Sequence, residues 1–132
     1  MRISPALARA ENLSRYETVN LGDHDFYVAD TAEQRKSGLA GLAALDKAGM
    51  VFVYDSDVTL AYTMTNMEFD LDIAFYDAEG ALIASKTAPA GSGAVISPKP
   101  YRYVVESPAG TVDLESLDLS VWQKKGKKKK KS

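Results

Sequence analysis

No cysteine occurs anywhere in the 132 residues, and there is a single histidine, His24. The first absence removes disulfides, thiolate nucleophiles and cysteine-based zinc sites. The second removes multi-histidine metal centres and any mechanism needing two imidazoles. No run of about 18 apolar residues is present, so no segment reads as a membrane-spanning helix. The first ten residues end in Ala8-Arg9-Ala10 but lack a continuous apolar stretch, so they do not read as a signal peptide. Compartment stays open: cytoplasmic as the chain stands, exported if a leader has been removed.

Basic charge is scarce too, except at one end. Seven of the sixteen basic residues are Lys124, Lys125 and Lys127 to Lys131. Residues 1–123 therefore carry nine basic and eighteen acidic groups, a net of −9. An acidic body repels a phosphate backbone, which argues against nucleic acid as its partner. The tail, residues 124–132, cannot bury apolar surface and is expected to be disordered, able at most to make non-specific contacts with anionic surfaces. With 45% hydrophobic residues the rest suffices for one core. The expected layout is a flexible arm over 1–15, one domain over 16–123, and the tail.

Short β-type runs dominate that domain. Tyr16 to Leu21 and His24 to Ala29 flank Gly22-Asp23, a hairpin signal. Asp30 with Glu33 three residues on predicts a capped helix running to about Leu39. Met50 to Tyr54 reads as a strand broken by Asp55-Ser56-Asp57, and Leu60 to Met64 as another. Leu71, Ile73 and Phe75 alternate with Asp72 and Ala74, and Asp77 to Gly80 turns the chain into a partner strand over 81–87. Residues 88–100 read as a long loop, Tyr101 to Glu106 as a strand, Leu114 to Leu117 as one helical turn, and Leu119 to Trp122 as a closing strand. The fold class expected is mostly β (α+β): a small barrel-like, curved sheet of seven or eight short strands with one or two short helices.

Most familiar chemical motifs are missing. Gly91-Ser92-Gly93 lacks the rest of a nucleotide-binding loop, and no Gly-x-Ser-x-Gly elbow occurs. Asp55-Ser56-Asp57 lacks the further ligands of a calcium loop. No metal or cofactor is implied, and no catalytic residue is assigned. Period two puts Asp70 and Asp72 on one side of a strand, either as a solvated face or as acid–base groups. Tyr62, Met64 and Asn66 share a side of another, either as core and turn or as ligand contacts.

Five blocks in order resemble the DUF192 (UPF0127) family of prokaryotic domains. They are Val28 to Thr31 with Arg35 and Gly38-Leu39; Gly49 to Tyr54; Tyr62-Thr63-Met64-Thr65-Asn66-Met67; Leu71 to Phe75 with Gly80; and Glu106-Ser107-Pro108-Ala109-Gly110. Ala40, Gly41 and Thr65 depart from the family pattern of Met, Arg and Lys. The resemblance implies a compact β-barrel-like domain without an assigned activity.

The sequence thus points to a non-enzymatic binding module for a small polar ligand, carbohydrate-like molecules among them, or for a protein partner. The candidate ligand-binding residues are Arg35, Tyr62, Met64, Asn66, Asp72 and Glu106. The alternatives are a hydrolase using Asp72 and Glu106 as an acid–base pair, and a structural or assembly accessory. A further expectation is that Arg35, Asn66, Asp72 and Glu106 gather in space, because charged groups on apolar strands require partners.

Overall fold

A computed structural model describes residues 12–122. Its strands are β1 (Glu17–Leu21), β2 (His24–Ala29), β3 (Gly49–Val58), β4 (Tyr62–Thr63), β5 (Leu71–Tyr76), β6 (Leu82–Ala88), β7 (Ala94–Val95) and β8 (Tyr101–Pro108). Helix α1 (Ala32–Ser37) follows β2, and a 3₁₀ turn covers Leu114–Ser116. Six strands form one curved mixed sheet in the order β1-β2-β3-β8-β5-β6, while β4 and β7 pair as a separate ribbon. Only β2 and β3 run parallel; the crossover between them contains α1. The sheet curves but does not close into a barrel, since β1 and β6 are its two edges.

The first hairpin turns on Gly22 and Asp23, both at positive φ (56° and 67°). That pair of left-handed residues matches the twist of the flanking strands. Helix α1 starts one residue later than the Asp30 cap expected. Thr31 is the N-cap: its side chain accepts from the Gln34 backbone N–H, and the Gln34 side chain accepts in return from the Thr31 N–H. The capping box therefore uses Thr31 and Gln34 rather than Asp30 and Glu33, and the helix stops at Ser37. Thr31→Ala should cost about 1 kcal/mol in chemical denaturation, the usual value of a cap; no change in midpoint would contradict the cap's role.

Alternation then sorts side chains onto the two sheet faces. Met50, Phe52, Ile73, Phe75 and Val104 join one cluster with Leu39, Leu42 and Met64. Phe26, Val51, Ala74, Tyr76, Tyr103 and Val105 join another on the opposite face, covered by Leu114 and Leu119 from the C-terminal segment. Both faces of the middle strands are thus buried. Tyr76 ties the second layer down, its hydroxyl donating to the Leu114 carbonyl at 2.5 Å.

Three local expectations are corrected. Strand β3 does not end at Asp55 but continues to Val58 across a register shift after Val53. Asp57 is exposed there, and Arg102 on β8 binds its carboxylate through Nη2 (3.0 Å) and Nε (3.1 Å). The strand expected over 60–64 shortens to β4. The closing strand expected over 119–122 is not formed: residues 120–122 are helical, and Leu119 and Trp122 pack onto the second face, where Trp122 lies 5.6 Å from the Tyr103 ring. At the other end of the described residues, Leu13 is buried in the first cluster. The lysine tail and residues 1–11 lie outside the described residues.

Candidate functional site

Glu106 sits in the middle of β8, opposite Met50 on β3 and Ile73 on β5. Residues directly opposite one another in an antiparallel pair point to the same face. Its side chain therefore enters the first cluster, among apolar neighbours, and is only 4% exposed. No hydrogen bond or ion pair to its carboxylate occurs among the described residues. Burial pushes its carboxyl up to about 8, so the group is largely protonated at neutral pH.

Above Glu106 the sheet, α1 and the β4 region enclose a cavity of about 550 Å³. Phe52, Tyr54 and Val58 reach it from β3, Arg35 and Lys36 from α1, and Tyr62 from β4, with Leu39 and Met67 completing the apolar wall. The rings are interlocked. Phe52 meets Tyr62 edge-on at 5.1 Å, and Tyr62 lies 6.1 Å from Phe75. The Tyr54 and Tyr62 hydroxyls share a hydrogen bond of 2.7 Å. Burial, then the neighbouring Tyr54 and the charge of Glu106, push the Tyr62 phenol far up, so it stays neutral and able to donate.

Arg35 flanks the cavity without reaching an acid. Its Nη1 donates to the carbonyls of Asp30 (3.0 Å) and Val53 (2.9 Å), and its guanidinium stacks 4.7 Å from the centre of the Tyr54 ring. The anticipated Arg35–carboxylate staple is therefore replaced by backbone carbonyls and a ring face. The cause is the placement of β3 beneath α1, which presents the Val53 carbonyl and the Tyr54 ring to the guanidinium.

Of the six candidate residues, the structure brings three together: Arg35, Tyr62 and Glu106 line one cavity. The other three stand apart. Met64 is fully buried as core. Asn66 is exposed and left-handed (φ 65°), and its carbonyl accepts from the Gly41 N–H at 3.1 Å, so it shapes a turn. Asp72 pairs with Ser107 rather than Glu106, so it points to the opposite face. There it accepts from Thr87 Oγ1 (2.5 Å) and the Gly110 N–H (2.9 Å), joining β6 and the turn after β8 to β5. Asp70, just before β5, accepts from the Ala90 N–H at 2.8 Å. The gathering expected of Arg35, Asn66, Asp72 and Glu106 does not occur, and Asp72 and Glu106 cannot flank one substrate bond.

Phe52, Tyr54 and Lys36 were not among the candidates. The alternation of Met50, Phe52 and Tyr54 along one strand was the available signal, because it places all three on the face that receives Glu106.

The sequence matches the DUF192 family, described as an uncharacterized ACR, over residues 16–120. No curated protein matches the chain. Two solved structures are similar. A protein of unknown function from Novosphingobium aromaticivorans is 24% identical, with a TM-score of 0.59 over 70% of this chain and 71% of the other. A protein from Sinorhizobium meliloti, described as a candidate transcription regulator, is 25% identical, with a TM-score of 0.62 over 74% and 84% respectively.

Proposed function

This chain belongs to the DUF192 family, and from that premise we propose that it is a non-enzymatic binding module whose ligand is a small molecule with an apolar body and one polar group. The observation that carries this reading is Glu106: a buried carboxyl with no hydrogen bond or ion pair among the described residues, opening into a cavity of about 550 Å³. Buried polar groups in folded proteins are nearly always hydrogen-bonded, and a ligand would supply what the chain withholds. The volume falls within the range of small-molecule sites, and an apolar wall with few polar groups is their usual composition.

The binding reading is favoured over hydrolysis by the surroundings of that carboxyl. No second carboxylate and no histidine lines the cavity among the described residues. Asp72 is on the other face, and His24 is exposed in the first hairpin. The regulator description of the Sinorhizobium protein does not favour DNA as a partner here, since residues 1–123 carry a net −9.

Screening a varied small-molecule collection by NMR against the full chain tests the reading. Shift changes are expected to cluster on Leu39, Tyr54, Tyr62 and Glu106. Ala61→Phe, which fills the mouth of the cavity from an exposed position, should weaken binding at least about tenfold, the order of one lost apolar contact region. Asp72→Asn should bind as the parent does. Hits that map to the Asp72 face, or a collection without any hit, would overturn it.

A further inference from the structure

Three features of the cavity bear on the charge of its ligand. The first is Glu106, whose ionised form has no ion-pair partner among the described residues and is therefore costly. A cation is the ligand charge that would recover that cost; an anion would add to it. The second is the wall. Phe52, Tyr54 and Tyr62 present aromatic rings to the cavity, and ring faces attract cations. The chain already uses this attraction at the rim, where the Arg35 guanidinium lies on Tyr54. The third is the field of the body, whose net charge of −9 over residues 1–123 concentrates cations and repels anions.

The charged and titratable groups sharing the cavity with Glu106 are Tyr54 on β3, Tyr62 on β4, and Arg35 and Lys36 on α1. The two phenols are hydrogen-bonded to each other. Arg35 is engaged by two backbone carbonyls and a ring face, and Lys36 is exposed at the rim. From β3 and β5, Met50 and Ile73 flank Glu106 without charge. Neither cation of α1 forms an ion pair with the carboxyl among the described residues, so that role is open to a ligand.

We propose that the cavity binds a small organic cation, an alkyl- or arylammonium, whose head group pairs with Glu106 and whose apolar body lies against Phe52, Leu39 and Met67. This rests on the reading of the cavity as a ligand site. Binding then requires the carboxylate, so it takes up the cation in exchange for the Glu106 proton. With a carboxyl titrating at about 8, the ionised fraction grows about tenfold from pH 7 to pH 9.

The test is titration of the full chain with hexyltrimethylammonium, 1-hexanol and hexanoate at constant ionic strength, followed by NMR and calorimetry. The quaternary head keeps its charge at every pH, so the pH profile reports on the protein alone. The ammonium is expected to bind at the cavity, to tighten about tenfold between pH 7 and pH 9, and to exceed hexanol and hexanoate at pH 9. Glu106→Gln should lose at least about tenfold at pH 9 and show a flat profile. The profile of the unaltered chain stands by itself if that variant folds poorly. Hexanol or hexanoate binding as tightly as the ammonium, or ammonium affinity that is flat with pH, overturns the cation inference and leaves the ligand-site reading standing. A lack of cavity shifts with all three probes also overturns the cation inference. The ligand-site reading itself falls only if the varied collection fails as well.

Discussion

Gly49→Ala should leave the protein largely unfolded under conditions where the parent is folded. A Cβ built on Gly49 would lie 1.9 Å from the Glu106 carbonyl oxygen, 3.0 Å from its carbonyl carbon and 3.1 Å from the Ser107 Cα. All three are backbone atoms of β8, which is hydrogen-bonded on both sides, to β3 and to β5. No side chain can rotate away to make room. Relief requires the start of β3 to separate from β8, which disrupts the pairing of Met50 with Glu106 and the first cluster beside it. Overpacking that only displaces side chains costs about 1–3 kcal/mol; backbone against backbone at the sheet centre should exceed about 4 kcal/mol. That is about a quarter to four fifths of the stability of a small domain, about 5–15 kcal/mol. Thermal and urea denaturation check it, and a variant melting within about 4 °C of the parent would show that the two strands are not so close. The close approach also bears on the site, because it holds β8 where Glu106 reaches the cavity floor.

Glu106→Gln should remove a large part of the pH dependence of stability between pH 5 and pH 9. In the folded chain the carboxyl titrates at about 8, against an ordinary value of 4.5. The folded state therefore binds more protons than the unfolded state between those limits. By linkage, stability is full below 4.5 and falls as pH rises through about 8, levelling above it. Every tenfold difference in proton affinity between the folded and unfolded chain corresponds to about 1.4 kcal/mol, so the whole window amounts to a few kcal/mol. Glutamine keeps the shape and removes the titration. The variant should gain a few kcal/mol relative to the parent between pH 5 and pH 9, read as the difference of two urea-denaturation profiles. Profiles that stay parallel would mean that Glu106 is charged and partnered in the folded chain. A saturating organic cation should flatten the parent's profile toward that of the variant, since it pairs with the carboxylate.

The structure also explains why the candidate residues split as they did. Asp72 and Glu106 are both carboxylates on apolar strands, and from sequence they look alike. The register of β5 against β8 separates them: Asp72 faces Ser107, and Ile73 faces Glu106. A shift of one residue in that register would put both acids on one face and restore the paired-carboxylate geometry. Asn66 illustrates the opposite case. Its turn role is local, held by a left-handed backbone and the Gly41 N–H, and it was available from residue type alone as one of two readings.

Strand alternation and turn chemistry were legible from the residues themselves. Leu71, Ile73 and Phe75 do share one buried face, the hairpin does turn on Gly22-Asp23, and the mostly β, curved class follows from short runs divided by glycine, aspartate and proline. These features depend on neighbours within a few positions, and backbone sterics act at that range. What the tertiary structure alone decided was the order of strands, their register, and the second layer that buries the other face of the sheet. Each depends on contacts between residues far apart in the chain. Asp57 pairs with Arg102 because the register of β3 against β8 sets the two side by side, 45 residues apart in the chain. Arg35 could stand without a carboxylate only because β3 carries Val53 and Tyr54 beneath it. Glu106 became a buried group at the floor of a cavity, without a partner among the described residues, because the pairing of β8 with β3 and β5 sets it between Met50 and Ile73, a condition that no stretch of residues around position 106 contains.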